Sequence, residues 1–202
     1  MGLLRQKHIV KGYNCKAAKI FESLFPNYDF LTIPYSSPKE YVAKYWNEYS
    51  KSGKHGNAMN GNFFELIINT LLFREGIKPF YTQANVAFVP NVIFDVILYT
   101  DTEPISLSIK TSLRERYKQA DLEAVALKYV HRKAKCYLLS LEPNEVSSQK
   151  KKIESGDILG LDDIIDCQSE EFDNLISKIK SDYKSRLIVP QKIDVITGNL
   201  VQ

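Results

Sequence analysis

Ser106-Leu-Ser-Ile-Lys110-Thr-Ser-Leu-Arg114-Glu115-Arg116-Tyr-Lys-Gln119-Ala-Asp-Leu-Glu123 decides how the rest of the chain is read. Its opening residues alternate. Ile105, Leu107 and Ile109 fall on one face of an extended strand, and Ser106, Ser108 and Lys110 fall on the other. The period then becomes helical. Leu113, Tyr117, Ala120, Ala124 and Leu127 form an apolar stripe, and Arg116, Gln119 and Glu123 form a polar stripe beside it. The pattern predicts a strand over 105–111 and a long amphipathic helix over 113–132.

Working outward, Asp95 is the one charge in the apolar run Val92-Ile-Phe-Asp-Val-Ile-Leu-Tyr99, which reads as a strand covered on both faces. The polar turn Thr100-Asp-Thr-Glu-Pro104 joins it to the next strand and favours a hairpin. Further strands are expected over 84–89 and 134–141. The helix between the last two strands favours parallel pairing.

Upstream, the chain reads as helical. A first helix begins at Lys16 and is closed by Pro26; a second runs from Pro38 to about Lys51. The glycine-punctuated stretch over 52–61 is expected to be a connector. Residues 62–75 form a helix apolar on nearly all sides, hence buried, with Glu65 the only acid in its first three turns. After Pro143 one helix is expected over 170–183, with a weak strand or hairpin beyond Pro190. The fold class is α/β (α+β): a central mixed sheet flanked by helices.

Length and composition fit one domain over 1–202, divided into a helical N-terminal segment (1–58), a core (60–141) and a C-terminal segment (142–202). A hydrophobic content of 44% supports a sizeable core, and the formal net charge of +3 does not by itself identify a nucleic-acid protein. Cys15, Cys136 and Cys167 lie far apart without metal-ligand spacing and are expected to be reduced thiols. His8, His55 and His131 are scattered, so a histidine-based metal site is not expected. There is no P-loop, no dinucleotide fingerprint and no Ser/His/Asp arrangement. With neither a signal-peptide pattern nor a run of roughly 20 apolar residues, a soluble cytoplasmic protein without a membrane partner is expected.

A carboxylate buried in an apolar strand is costly unless paired or bound to a metal. Asp95 with Lys110 on the neighbouring strand is a pattern suited to metal-assisted phosphodiester chemistry. Glu65 and Glu123 are the acids available to complete such a site. Arg114, Glu115 and Arg116 offer guanidinium forks and a carboxylate suited to guanine and cytosine edges. Lys118, with Lys128, Arg132, Lys133 and Lys135, adds charge for phosphates.

Together these residues resemble the PD-(D/E)XK nuclease superfamily, and within it the SsoII/EcoRII-like type II restriction endonucleases that read CC/GG sites. The broad pattern has acid, any residue, lysine; here Ser108-Ile109-Lys110 stands in its place, and Phe94 precedes Asp95 where proline is usual. In the narrower group the missing acid comes from the following helix, at the spacing where Glu123 stands. The resemblance spans roughly 60–141 and is most specific over 108–123.

It implies a single nuclease domain in which Asp95, Glu123 and Glu65 hold Mg²⁺ and Lys110 is the catalytic lysine. Arg114, Glu115 and Arg116, with Lys118 and Gln119, would recognise double-stranded DNA. A homodimer is expected, because a two-fold site is cut once per strand by a two-fold protein. Two alternatives stand beside this reading: a nuclease of repair, recombination or phage defence without fixed specificity, and a non-catalytic DNA-binding relative.

Overall fold

A computed structural model describes residues 2–12, 15–191 and 194–202. Helices α1 (Leu3–Gln6), α2 (Lys16–Ser23), α3 (Pro38–Lys51) and α4 (Asn57–Arg74) come first, followed by strands β1 (Phe80–Val86), β2 (Phe94–Thr100) and β3 (Pro104–Ile109). Next come α5 (Arg116–Val130), β4 (Lys135–Ser140), α6 (Pro143–Glu154), β5 (Asp163–Asp166) and α7 (Glu170–Lys178), which a π turn continues to Tyr183. Strands β6 (Leu187–Ile188) and β7 (Val195–Val201) close the chain.

The strands form one mixed sheet in the order β5-β4-β3-β2-β1-β7, with β6 paired to β2. The expected hairpin is present: β2 and β3 are antiparallel, with Val96 opposite Leu107. The expected parallel pair is also present, with Ser108 of β3 opposite Leu138 of β4.

Two apolar cores lie on opposite faces of the sheet. On one, Val96, Leu98, Ile105, Leu107 and Ile109 pack with residues of α1–α4 and α7. On the other, Ile97, Cys136 and Leu138 pack with Ala120, Ala124 and Leu127 of α5 and Val146 of α6. The alternation read in β3 thus separates these two cores, and Ser106 lies on the α5 side only 6% exposed. Central strands covered on both faces can bury polar side chains only where something satisfies them.

Several boundaries differ from the sequence reading. Helix α4 begins at Asn57, inside the expected connector, and the hydroxyl of Tyr49 donates to Asn60 Oδ1 at 2.8 Å. That contact and the partly buried Met59 tie an otherwise turn-like sequence to the core. The strand expected over 84–89 is instead Phe80–Val86, because Phe88 and Asn91 adopt positive φ in the turn that follows. Strand β3 ends at Ile109, one residue short of Lys110, and α5 starts at Arg116 rather than 113. Helix α6 and strand β5 were not foreseen. Beyond Pro190, β7 supplies the expected strand, while Lys192 and Ile193 lie outside the described residues.

The loop before β5 fixes how closely α5 lies. A Cβ on Gly160 would sit 2.5 Å from Asp121 O and 2.5 Å from Val125 N. Asp121 in turn accepts the N–H groups of Leu159, Gly160 and Leu161. Only a residue without a side chain permits this approach.

Candidate active site

Asp95 lies near the start of β2, and the Val96–Leu107 register brings it level with Ser108, near the end of β3 and just before Lys110. Its Oδ2 accepts the Ile109 N–H at 2.7 Å and the Lys110 ammonium at 2.6 Å. The pair is nearly enclosed, with 11% of the Asp95 side chain and 13% of Lys110 exposed. Lys110 has already left the strand, but its N–H donates to Leu139 O at 2.9 Å, so β4 still holds its backbone.

Glu123 reaches the same place from α5. Asp95, Ser108 and Glu123 line one small internal space between the sheet and this helix. Burial and the charge of Asp95 raise the Glu123 carboxyl above its ordinary range, while Gln119 and Lys110 hold it down. Gln119 Nε2 donates to Glu123 Oε1 at 2.7 Å. This residue, expected among the DNA-recognition set, therefore has its amide engaged by a carboxylate of the site.

Glu65 approaches from α4. Burial and the neighbouring Asp95 push its carboxyl up to about 7, against the opposing pull of Lys110 and a hydrogen bond from Gln83. Gln83 Nε2 donates to Glu65 Oε2 at 2.9 Å from a backbone with φ +48°, where β1 departs from regular pairing with β7. Such strain is tolerated where the surroundings over-determine it. Neither Gln83 nor its conformation carries a signal in the sequence.

The four predicted groups thus come together from four elements: Glu65 from α4, Asp95 from β2, Lys110 from the end of β3 and Glu123 from α5. Asp95 and Lys110 act on both glutamates, with opposite signs. Among the described residues, no three His, Cys, Asp or Glu side chains form a group that could hold a metal ion as they stand. Each carboxylate instead has an oxygen engaged by a donor: Lys110, Gln119 or Gln83. The remaining donor chemistry does fit a hard divalent cation: three carboxylates, two of them raised by burial and like charge, plus the buried Ser108 Oγ, which has no hydrogen-bond partner among the described residues. Bringing them to ligating distance requires side-chain movement.

The Arg114-Glu115-Arg116 cluster occupies a turn between two anchored residues. Leu113 is fully buried, and its N–H donates to Glu145 Oε2 of α6 at 2.6 Å. Tyr117 accepts a hydrogen bond from Lys152 Nζ at 2.8 Å, and that ammonium also lies 4.3 Å from its ring centre. All three residues between are exposed. Among the described residues, the Arg114 and Arg116 side chains have no partner, whereas Glu115 pairs with Lys118 at 2.6 Å. Two lysines expected to serve phosphates are bound elsewhere: Lys128 and Lys135 both pair with Asp162.

No family model, curated protein or solved structure matches the chain. No helix among the described residues is long and apolar enough to cross a membrane. The functional reading rests on the residues and their geometry.

Proposed function

We propose that this chain is a Mg²⁺-dependent endodeoxyribonuclease that hydrolyses phosphodiester bonds of double-stranded DNA at a short symmetric site of CC/GG type, in the manner of a type II restriction endonuclease. The observation that carries the proposal is the Asp95–Lys110 pair flanked by Glu65 and Glu123, all four electrostatically linked.

Asp95 and Glu123, with Glu65 as auxiliary acid, would hold Mg²⁺. When bound, the ion supplies polarisation of the phosphate and activation of water. The residues themselves do the rest. Lys110 is a fixed cation beside Asp95, positioned to balance negative charge that develops on the scissile phosphate. Transferring the lysine's partner from Asp95 to the phosphate leaves Asp95 free to ligate. Gln119 and Gln83 hold Glu123 and Glu65 in orientation. Burial and the charge of Asp95 keep a proton on Glu65 up to about pH 7, so this acid becomes a full anion only above that pH.

Arg114 and Arg116, exposed and without a partner among the described residues, supply guanidinium forks for guanine or phosphate. Glu115 supplies the acceptor for a cytosine amino group once Lys118 releases it. The enzyme acts as a cytoplasmic homodimer, one subunit for each strand of the symmetric site. Digestion of a sequenced plasmid with Mg²⁺ and mapping of the ends tests this reading. Discrete fragments support it; a smear points to a nuclease without fixed specificity, and intact DNA removes the enzymatic assignment.

A further inference from the structure

Helix α5 buries one side and leaves the other bare. Ala120, Ala124 and Leu127 are at most 2% exposed and seat the helix on the sheet. On the opposite side stand Leu122, Val125 and Tyr129, which are 69%, 40% and 88% exposed. Leu159 joins them at 74%, in the loop that binds Asp121 through its N–H groups and abuts the backbone of Val125 through Gly160. Single apolar residues on a surface are ordinary, but four gathered along one helix form the kind of patch that marks an interaction site.

The spacing states what shape covers this patch. Lys118, Leu122, Val125 and Tyr129 follow one another at intervals of four, three and four residues, the roughly 3.5-residue period of a seam between two helices. All four are exposed along one line of α5. Among the described residues, no other helix exposes a large apolar side chain. Within this chain, the helix that matches the seam is therefore α5 of a second copy.

The order of the side chains sets the direction. In a parallel pair each residue meets its own copy, which brings two Lys118 ammonium groups together. In an antiparallel pair, about an axis between Glu123 and Ala124, Leu122 meets the partner's Val125. Lys118 then meets the partner's Tyr129, a cation against an aromatic ring. Each contact occurs twice, as a two-fold interface requires.

We propose that α5 is a self-association surface on which a second copy of this chain packs its own α5 antiparallel, with Leu122, Val125, Tyr129 and Leu159 at the centre. This surface goes beyond the homodimer drawn from the symmetry of a DNA site: it is defined by the side chains of α5 and exists whether or not the chain cuts DNA. Glu123 lies beside the axis, so association also steadies the helix that carries it.

Sedimentation velocity on the full chain over a range of micromolar concentrations tests the proposal without DNA or divalent cation, so its outcome is separate from that of any cleavage assay. A monomer–dimer equilibrium is expected. Leu122→Glu and Tyr129→Glu should each raise its dissociation constant by about tenfold or more. Both positions face solvent, so the variants should keep the circular dichroism of the parent. Direction is read by mixing Lys118→Cys and Tyr129→Cys proteins under oxidising conditions. The mixture should form a disulfide-linked dimer far faster than either protein alone, because like positions in the antiparallel pair lie about 16 Å apart along the helix axis. A chain that stays monomeric throughout, its α5 face left bare or covered by something other than a second copy, would overturn the proposal. So would a dimer that both glutamate variants leave intact, or one in which Lys118→Cys links readily to itself.

Discussion

Lys110 Nζ lies 2.6 Å from Asp95 Oδ2, and both side chains are almost closed off from solvent. Removing one partner of such a pair strands the other. Lys110→Met is expected to destabilise the fold by about 1–3 kcal/mol, below the 3–5 kcal/mol typical of a fully buried pair because some water reaches this one. Asp95 keeps the Ile109 N–H, which also limits the loss. In the proposed mechanism both Lys110→Met and Asp95→Asn reduce Mg²⁺-dependent cleavage to background while DNA binding persists. Circular dichroism, chemical denaturation and gel-shift assays separate these effects. Normal cleavage by both variants would exclude the site.

Glu65 supplies a pH dependence with a definite sign. Its folded-state carboxyl titrates near 7, against an ordinary value of 4.5, so the folded protein holds a proton that the unfolded chain has lost. That contribution is fully present below about pH 4.5 and disappears as the pH rises through 7. Glu65→Gln should therefore gain stability relative to the parent between those limits, by on the order of 2–3 kcal/mol at most. Urea denaturation at several pH values without divalent cation measures it. Equal slopes for the two proteins would remove the perturbed carboxyl.

Much of this site was visible in the sequence because its residues break a strong local pattern. Asp95 interrupts an apolar strand, Glu65 an apolar helix, and Lys110 with Glu123 follows one strand-to-helix change of period. The features that were not visible depend on long-range contacts. Helix α6 buries little beyond Val146 and Gln149, so its serine- and lysine-rich sequence has a faint apolar face. Strand β5 has only Ile164 and Ile165 buried between two aspartates. The hydrogen bonds from Gln83 and Gln119 are set by packing that no local periodicity encodes.

The unforeseen α6 bears on specificity. Glu145 is the acceptor that holds the Leu113 N–H immediately before the arginine cluster. Glu145→Ala frees that end of the turn without touching Asp95, Lys110 or Glu123. Under the proposed function it should increase cutting at near-cognate sites more than it slows cutting at the cognate site. Sequencing of cleavage ends from a random-sequence library provides the comparison. A uniform fall in rate with unchanged specificity would make Glu145 a purely structural support.

Glu115 is exposed and, among the described residues, pairs with Lys118, three residues on. Its loss is expected to leave the fold intact. If it accepts from a cytosine amino group, Glu115→Ala lowers discrimination at that C·G pair by roughly tenfold to a hundredfold, the scale of one good base contact. Lys118→Ala should have the opposite sign, because it leaves Glu115 without its competing partner. Competition binding with single-substituted duplexes measures both. Identical losses on every sequence would assign Glu115 to positioning alone.

Gly160 tests whether the seating of α5 matters to the site. A methyl group there meets Asp121 O and Val125 N at 2.5 Å, and both are backbone atoms of a helix. Neither can rotate away, so α5 must move or the loop must detach. The expected cost of Gly160→Ala is about 1–3 kcal/mol, as for other overpacked positions. Glu123 and the Arg114–Arg116 turn belong to the displaced element, whereas Asp95 belongs to β2 and the backbone of Lys110 is held by β4. The variant should therefore keep the Asp95–Lys110 pair and lose cleavage disproportionately to its loss of stability. Activity measured well below the melting temperature distinguishes this from simple unfolding. Full activity in a folded Gly160→Ala protein would show that Glu123 tolerates displacement and is not a required ligand.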